Sequence, residues 1–245
     1  MIAITPAVRT DLAPTGALRV GINYGNFILA VRDAATGESR GVAIDLAREL
    51  ARRLDARLEI IAYDSVAVMV EAAPTNTWDI AFLGSDPARE KLIDFTAAYL
   101  EIEATYLVPA GSALRTALDV DRPGVRVAAP SKANYELFLS RSLSRASLVS
   151  TPGSDAAFDL LRSGKVEALA GLTQALIGLR PKLPGSRMLE GRFMAVQQSI
   201  GVPQGRAAGL AYLRELVEEA KTSGLVARAI AATGAQGVSV APRAG

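Results

Sequence analysis

The stretch from residue 79 to residue 106 constrains the fold most, because it places an apolar strand, a polar turn and a second strand in close succession. It begins with the apolar run DIAFL, and Gly84 ends that run. Ser85 or Asp86 then suits the N-cap of a helix, and Pro87 suits its first position, where the missing N–H costs nothing. We therefore predict a short strand followed by a helix that begins at Pro87.

Arg89 falls in the first turn of this predicted helix, where a cation opposes the positive end of the helix dipole. The free N–H groups, the dipole and the guanidinium together favour an anion, and planar bidentate pairing suits a carboxylate. An ion pair on the surface with Asp86 or Asp94 is the alternative interpretation of the same spacing. The sequence thus leaves an anion site and a surface pair open.

Composition restricts the classes of function. The chain has 245 residues, of which 50% are hydrophobic and 21% charged, so it is globular, with one large domain or two lobes. The net charge is +2 and the basic residues are scattered, which argues against nucleic-acid binding. Cysteine and histidine are both absent. This excludes disulfides, thiol chemistry and Ser-His-Asp catalysis, and we predict no catalytic residues, no metal and no cofactor.

Two further loops follow predicted strands. Residues 18–22 read as the first strand, and Tyr24, Asn26 and Phe27 follow it. Ser65 follows the second strand and opens a helix. In open α/β sheets ligands bind outside the carboxyl ends of the strands, so both loops are candidate ligand loops.

The ends and one long helix complete the pattern. Residues 1–17 contain several helix breakers and predict a mobile arm, and residues 234–245 predict a tail. Residues 41–54 predict an amphipathic helix, because their apolar side chains recur on one stripe.

The strand, glycine, polar turn, arginine and IDFTAAY segment resemble the central signature of bacterial solute-binding proteins of the polar amino acid type. The segment that starts at Gly41 resembles the G-x-x-x-D-L-A helix of that family, and residues 166–171 resemble its G-x-V-D-A strand. The resemblance implies an α/β, two-lobed, periplasmic-binding-protein-like (type 2) fold with two hinge crossovers and a discontinuous first lobe. We expect residues 1–106 and 199–245 in lobe 1, and residues 107–198 in lobe 2.

The resemblance also implies a set of ligand contacts. In that family the arginine at the position of Arg89 grips the α-carboxylate of the ligand, and an aromatic near Phe27 lies against it. The turn that contains Ser131 meets the carboxylate through hydroxyl and N–H groups. Ordinary lobe packing for Phe27 and a plain N-cap for Ser131 are the alternatives. The predicted ligand-binding residues are Asn26, Phe27, Ser65, Gly84, Ser85, Asp86, Arg89, Ser131, Asn134 and Thr173.

One position departs from the family pattern. Leu172, Thr173 and Gln174 stand where the family commonly places an aspartate that holds an α-ammonium. A buried ammonium without a carboxylate partner carries a desolvation cost of several kcal/mol. Either Asp86 and carbonyl oxygens hold the amine of an amino acid, or the ligand is a carboxylate that lacks the amine.

The resemblance implies a monomer that binds a small carboxylate-bearing solute, with an amino acid as the expected class, and delivers it to the permease of an ABC transporter. The alternative is a cyclohexadienyl dehydratase-like enzyme, acting on prephenate or arogenate, with Asp86, Glu101, Glu103 or Lys132 as general acid. A sensor that binds a partner protein is a third class.

The N-terminal sequence lacks the basic region and apolar core of a secretory signal. We expect a periplasmic protein if a signal has been removed before Met1, and a cytoplasmic one if Met1 is the native start.

Overall fold

A computed structural model describes residues 3–244 of the chain. These residues form eight α-helices: α1 (Pro6–Leu12), α2 (Val42–Leu54), α3 (Val66–Glu71), α4 (Asn134–Ser142), α5 (Ser154–Arg162), α6 (Thr173–Leu179), α7 (Ala207–Thr222) and α8 (Leu225–Thr233). They also form thirteen strands: β1 (Ala17–Asn23), β2 (Val31–Arg32), β3 (Ser39–Arg40), β4 (Arg57–Tyr63), β5 (Ile80–Gly84), β6 (Ile93–Phe95), β7 (Leu100–Val108), β8 (Arg126–Pro130), β9 (Ser147–Thr151), β10 (Ala168–Leu172), β11 (Arg187–Met188), β12 (Met194–Pro203) and β13 (Val238–Val240). No helix among the described residues is long and apolar enough to cross a membrane.

The chain divides into two compact units. Unit 1 comprises Met1–Glu101 with Gln197–Gly245, and unit 2 comprises Ile102–Val196. Strands β7 and β12 each run across a unit boundary, so the chain passes between the units twice and unit 1 is discontinuous. The predicted lobe boundaries, after residues 106 and 198, fall within the same two strands. Residues 1, 2 and 245 of the predicted first lobe lie outside the described residues.

The sheet of unit 1 has the strand order β4-β1-β5-β12. Strand β1 runs parallel to both β4 and β5, so these three strands end at the same edge of the sheet, at Asn23, Tyr63 and Gly84. Helix α2 packs on this sheet through the predicted apolar stripe, whose members are all buried: Ala43, Leu46, Ala47, Leu50, Ala51 and Leu54. The unit is therefore an open α/β layer with three loops gathered at one edge.

The sheet of unit 2 has the strand order β7-β10-β8-β9. Strand β8 runs parallel to β9 and β10, so these strands end at a common edge, at Pro130, Thr151 and Leu172. The adjacent residues Val127 and Ala128 pack into separate apolar clusters, because successive side chains of a strand point to opposite faces. Unit 2 is thus also an α/β layer, and the predicted α/β class is confirmed.

Part of the N-terminal segment is a packed helix, so the prediction of a mobile arm is wrong there. Thr5 caps α1 by accepting a hydrogen bond from the Val8 N–H, and Pro6 occupies the first turn. Leu12 is fully buried, and Asp11 Oδ2 accepts a 2.8 Å hydrogen bond from the Gly209 N–H near the start of α7. The N-cap and the contact with α7 stabilise this helix although the segment contains Pro and Gly residues that disfavour helices.

A buried ion cluster fixes the start of β5. Asp79 is completely buried, and the Arg19 guanidinium donates two hydrogen bonds to its carboxylate, at 2.9 and 2.6 Å. Arg206 Nη1 donates a third, at 2.9 Å. Trp78 beside it is also fully buried, as a core residue. These contacts tie the strand that carries the candidate site to β1 and to the start of α7.

Candidate functional site

The structure brings the predicted residues of unit 1 to one edge of its sheet. Asn26 and Phe27 follow β1, Ser65 follows β4, and the segment from Gly84 to Arg89 ends and follows β5. Because these strands are parallel, their three loops lie at the same edge. This is the edge at which ligands bind in open α/β sheets.

The segment after β5 consists of turns, and the predicted helix beginning at Pro87 is wrong. Asp86 Oδ1 accepts a 2.9 Å hydrogen bond from the Ala88 N–H, and the Arg89 N–H donates to the Asp86 carbonyl oxygen at 2.9 Å. A helix cannot continue because Ile93 already pairs with β12 as the first residue of β6. Arg89 therefore lies in a turn, and the expected dipole of a helix beginning at Pro87 does not act on it.

The side chain of Arg89 is buried, with 4% of its surface exposed. Its Nη1 donates a 2.6 Å hydrogen bond to the carbonyl oxygen of Gly84. Burial lowers the pKa of Arg89 to about 10, and the charge of Asp86 partly offsets that effect. The guanidinium remains a cation at neutral pH, and its burial rules out the surface ion pair.

Asp86 brings a carboxylate into the same buried cluster. It is 5% exposed, and its charge acts on Arg89. The cluster thus pairs a buried cation with a buried anion, and it offers a donor for a carboxylate beside an acceptor for an ammonium. Ser85, between Gly84 and Asp86, donates its N–H to the Gln197 carbonyl oxygen at 2.9 Å, which anchors the turn to β12.

The other two loops of unit 1 carry residues of different character. Phe27 is 43% exposed, which is unusual for a large apolar side chain of this protein. Asn26 Oδ1 is buried and has no hydrogen-bond partner among the described residues. Ser65 Oγ accepts a 3.3 Å hydrogen bond from the Val68 N–H and so caps α3. Asn26 therefore presents a buried acceptor, a property that the sequence did not reveal.

Unit 2 places its three predicted residues at the common edge of its own sheet. Ser131 and Asn134 follow β8, and Thr173 follows β10 as the first residue of α6. Ser131 is exposed, Asn134 is 9% exposed, and Thr173 is partly buried. All three residues thus lie at the edge where the parallel strands of unit 2 end.

The backbone N–H groups of the turn after β8 are engaged inside unit 2. The Ser131 N–H donates to the Thr151 carbonyl oxygen at 2.8 Å, and the Lys132 N–H donates to Glu136 Oε2 at 3.0 Å. The Ala133 N–H donates to the Pro130 carbonyl oxygen at 3.3 Å. These three donors are already used, so the expected contact of this turn with a ligand depends on the Ser131 hydroxyl alone.

Glu136 also contacts this turn, although no sequence motif marks it. It is 8% exposed, and its Oε1 accepts a 2.6 Å hydrogen bond from Ser150 Oγ. Lys132 has a φ of 62°, in the left-handed region that favours glycine. That conformation aims the Lys132 N–H at Glu136, and a lysine in the sequence gives no sign of it.

Two of the candidate general acids, Glu101 and Glu103, contact polar side chains of β12 or the segment before it. Glu101 Oε1 accepts a 2.8 Å hydrogen bond from Gln197 Nε2, and Glu103 lies 3.2 Å from Arg192 Nη1. Among residues 3–244 no group of three or more acidic residues could hold a metal ion.

A family model matches most of the chain. The model of the bacterial extracellular solute-binding proteins, family 3, matches residues 18–232. The glutamine-binding protein of Geobacillus stearothermophilus is 23% identical over 190 residues, which cover 76% of this chain and 72% of that protein.

Solved structures share the fold. A mutant of ArgBP from T. maritima superposes with a TM-score of 0.74 at 22% identity, covering 93% of this chain and 99% of that one. The ancestral amino acid-binding protein AncCDT-1, a precursor of cyclohexadienyl dehydratase, gives a TM-score of 0.73 at 21% identity, with 91% and 96% covered. The family match covers nearly the whole chain, and these folds agree with it. The chain belongs to the bacterial extracellular solute-binding proteins, family 3.

Proposed function

We propose that this protein binds an amino acid and presents it to the permease of an ABC transporter, as a monomer outside the cytoplasmic membrane. The observation that carries the proposal is Arg89, a guanidinium that is only 4% exposed at the carboxyl edge of the unit 1 sheet. A buried cation at a ligand-binding edge suits the carboxylate that every amino acid carries. The family match supports transport, because its members are solute-binding proteins.

In this proposal the solute carboxylate pairs with Arg89. The hydrogen bond from Arg89 Nη1 to the Gly84 carbonyl oxygen fixes the direction of the guanidinium, so little rotamer freedom is lost on binding. Burial strengthens the attraction, because the pair lies in a medium of lower dielectric constant than water.

The amine of the solute has acceptors in the same unit. Asp86 supplies a buried carboxylate, and Asn26 Oδ1 supplies a buried acceptor without a partner among residues 3–244. Unit 2 has Leu172, Thr173 and Gln174 at the position where the family resemblance implies an acid. The amine is therefore assigned to Asp86 and Asn26, and this favours an amino acid over its deaminated counterpart.

The remaining residues are assigned as contacts from the sequence prediction. Phe27 and Ser65 lie on loops at the same sheet edge as this cluster, and Ser131, Asn134 and Thr173 lie at the strand ends of the unit 2 sheet. The exposed ring of Phe27 provides an apolar surface for the solute side chain. The proposal assigns binding without turnover, and no residue has a catalytic role in it.

A thermal-shift panel tests the proposal. The purified protein is heated with each amino acid and, separately, with its matched deaminated acid, after native mass spectrometry has identified any co-purified ligand. Binding raises the melting temperature by mass action, so a saturating amino acid stabilises the protein and its deaminated acid does so far less. Stabilisation by the deaminated acids alone would contradict the amino acid assignment.

A further inference from the structure

A cavity of about 260 Å³ lies in unit 1 between α2, β4 and the β2–β3 hairpin. Its floor is apolar and consists of Leu58, Ile60 and Ala62 of β4 with Ile44 of α2. None of the ten predicted ligand-binding residues lines it, although Tyr24 of the candidate loop after β1 does. The cavity is therefore not part of the predicted amino acid site.

The rim of this cavity is polar and carries two arginines. Arg32 belongs to β2 and Arg48 to α2, and both line the cavity. Tyr24 Oη and Ser39 Oγ share a 2.6 Å hydrogen bond at the rim. Arg48 Nη2 donates a 2.9 Å hydrogen bond to the Ser39 carbonyl oxygen, which holds the guanidinium beside the hairpin.

The balance of charge at the rim is positive. Asp45 lies 3.6 Å from Arg48 Nη1, which is longer than a hydrogen bond, and both side chains are more than a third exposed. Arg32 forms no ion pair with a carboxylate of residues 3–244, and its Nε makes only a 3.3 Å hydrogen bond to the Gly37 carbonyl oxygen. Arg32 and Arg48 are the charged residues that line the cavity, and its lining contains no carboxylate, so the rim attracts a negatively charged group.

We propose that this cavity binds a small monocarboxylate with a short hydrocarbon body, at a site separate from Arg89. The carboxylate lies between Arg32 and Arg48, and the hydrocarbon body covers the floor formed by Leu58, Ile60 and Ala62. Ligand pockets usually enclose roughly 300–1,000 Å³. This cavity, at about 260 Å³, lies just below that range and therefore suits only a small ligand. Planar guanidinium groups suit the carboxylate, and the apolar floor favours a ligand with a hydrocarbon body over an inorganic anion.

An NMR titration tests this site with 4-methylpentanoate as the probe. The titration uses the full chain with the Arg89→Ala substitution, which removes the proposed carboxylate contact of the amino acid site. Any binding that is observed then reports on the cavity alone, independently of the proposed amino acid binding. The amides of Ile60 and Ala62 are expected to shift in a saturable way. The uncharged 4-methylpentanamide is expected to bind at least tenfold more weakly.

Two variants in the same background complete the test. Replacing both Arg32 and Arg48 by alanine is expected to raise the dissociation constant at least tenfold. Arg52→Ala is the matched control, because Arg52 lies on the same helix but is 71% exposed and pairs with Glu49. Equal affinity for the acid and the amide, or an unchanged affinity in the double variant, would overturn the proposal. If the double variant does not fold, the comparison of acid with amide still decides.

Discussion

Arg89 Nη1 donates a 2.6 Å hydrogen bond to the carbonyl oxygen of Gly84, the last residue of β5. The guanidinium therefore turns back onto the strand that precedes it. Gly84 is itself held in register opposite Gln198 of β12, so the position of the charge depends on the sheet. The turn places the cation at the strand end without a helix, and this is the element on which the proposed carboxylate contact depends.

Glu136 stabilises the turn after β8, and its replacement tests that role. Glu136→Ala leaves the Lys132 N–H and Ser150 Oγ without their acceptor and should lower the free energy of unfolding by about 2 kcal/mol. Glu136→Gln retains a carbonyl acceptor and adds an amide donor, so it should cost less than about 1 kcal/mol. Urea denaturation measures both, and an equal loss in the two variants would contradict the hydrogen-bonding role.

Two helical glycines should respond in opposite directions to alanine. A Cβ at Gly209 in α7 would lie 2.7 Å from Leu12 Cδ2 and 2.9 Å from Asp11 Cβ, so Gly209→Ala should destabilise by about 1–3 kcal/mol. A Cβ at Gly178 in α6 would meet no heavy atom within 4 Å, so Gly178→Ala should stabilise the protein by about 0.5–1 kcal/mol. Thermal unfolding of both variants checks this, and a stable Gly209→Ala variant would refute the close packing of α1 on α7.

Acid stability should depend on Glu49. Hydrogen bonds from Arg52 and then Arg53 lower the pKa of Glu49 from 4.5 to about 2. Between these values the unfolded chain binds more protons than the folded one, so the free energy of unfolding falls as the pH drops from about 5 to about 2. Glu49→Gln removes this contribution and should flatten the fall over that range. Denaturation curves at several pH values measure it, and an unchanged slope would exclude Glu49 as a source of the acid sensitivity.

The local elements could be predicted from the sequence because their signals are short in range. The apolar stripe of α2 repeats every three or four residues, and the α3 helix follows its cap at Ser65. Thr5 and Pro6 also carried a helix-start signal for α1, but the breakers in the segment obscured it. The burial of Leu12 on α7 is a long-range contact and left no local pattern.

The details of the candidate site depended on contacts that the sequence does not display. The sequence predicts a helix start at Ser85, Asp86 and Pro87. The segment forms turns instead, because Ile93 already pairs with β12. The engagement of the Lys132 N–H by a side chain depends on a left-handed backbone conformation. The ligand contacts themselves stay predictions.

Chemistry on a solute separates the proposed binding role from the dehydratase alternative. We expect incubation with prephenate or arogenate to yield no product above the uncatalysed background. The reason is that two of the four candidate general acids, Glu101 and Glu103, are engaged by Gln197 and Arg192, while Asp86 is assigned to the amine of the solute. Product analysis by chromatography measures it. Turnover on the order of 1 per second or faster, the rate of ordinary enzymes, would overturn the binding role.

Calorimetry of Arg89→Ala with the amino acid that the thermal-shift panel identifies tests the central claim most directly. Circular dichroism first establishes that the variant is folded, and Arg162→Ala is the matched control, because Arg162 is 62% exposed on α5 and pairs with Asp159. If Arg89 holds the carboxylate, its loss should cost roughly 2–5 kcal/mol of binding free energy, while the control binds as the parent protein does. A loss below about 0.5 kcal/mol, within the range of an exposed ion pair, would contradict the account.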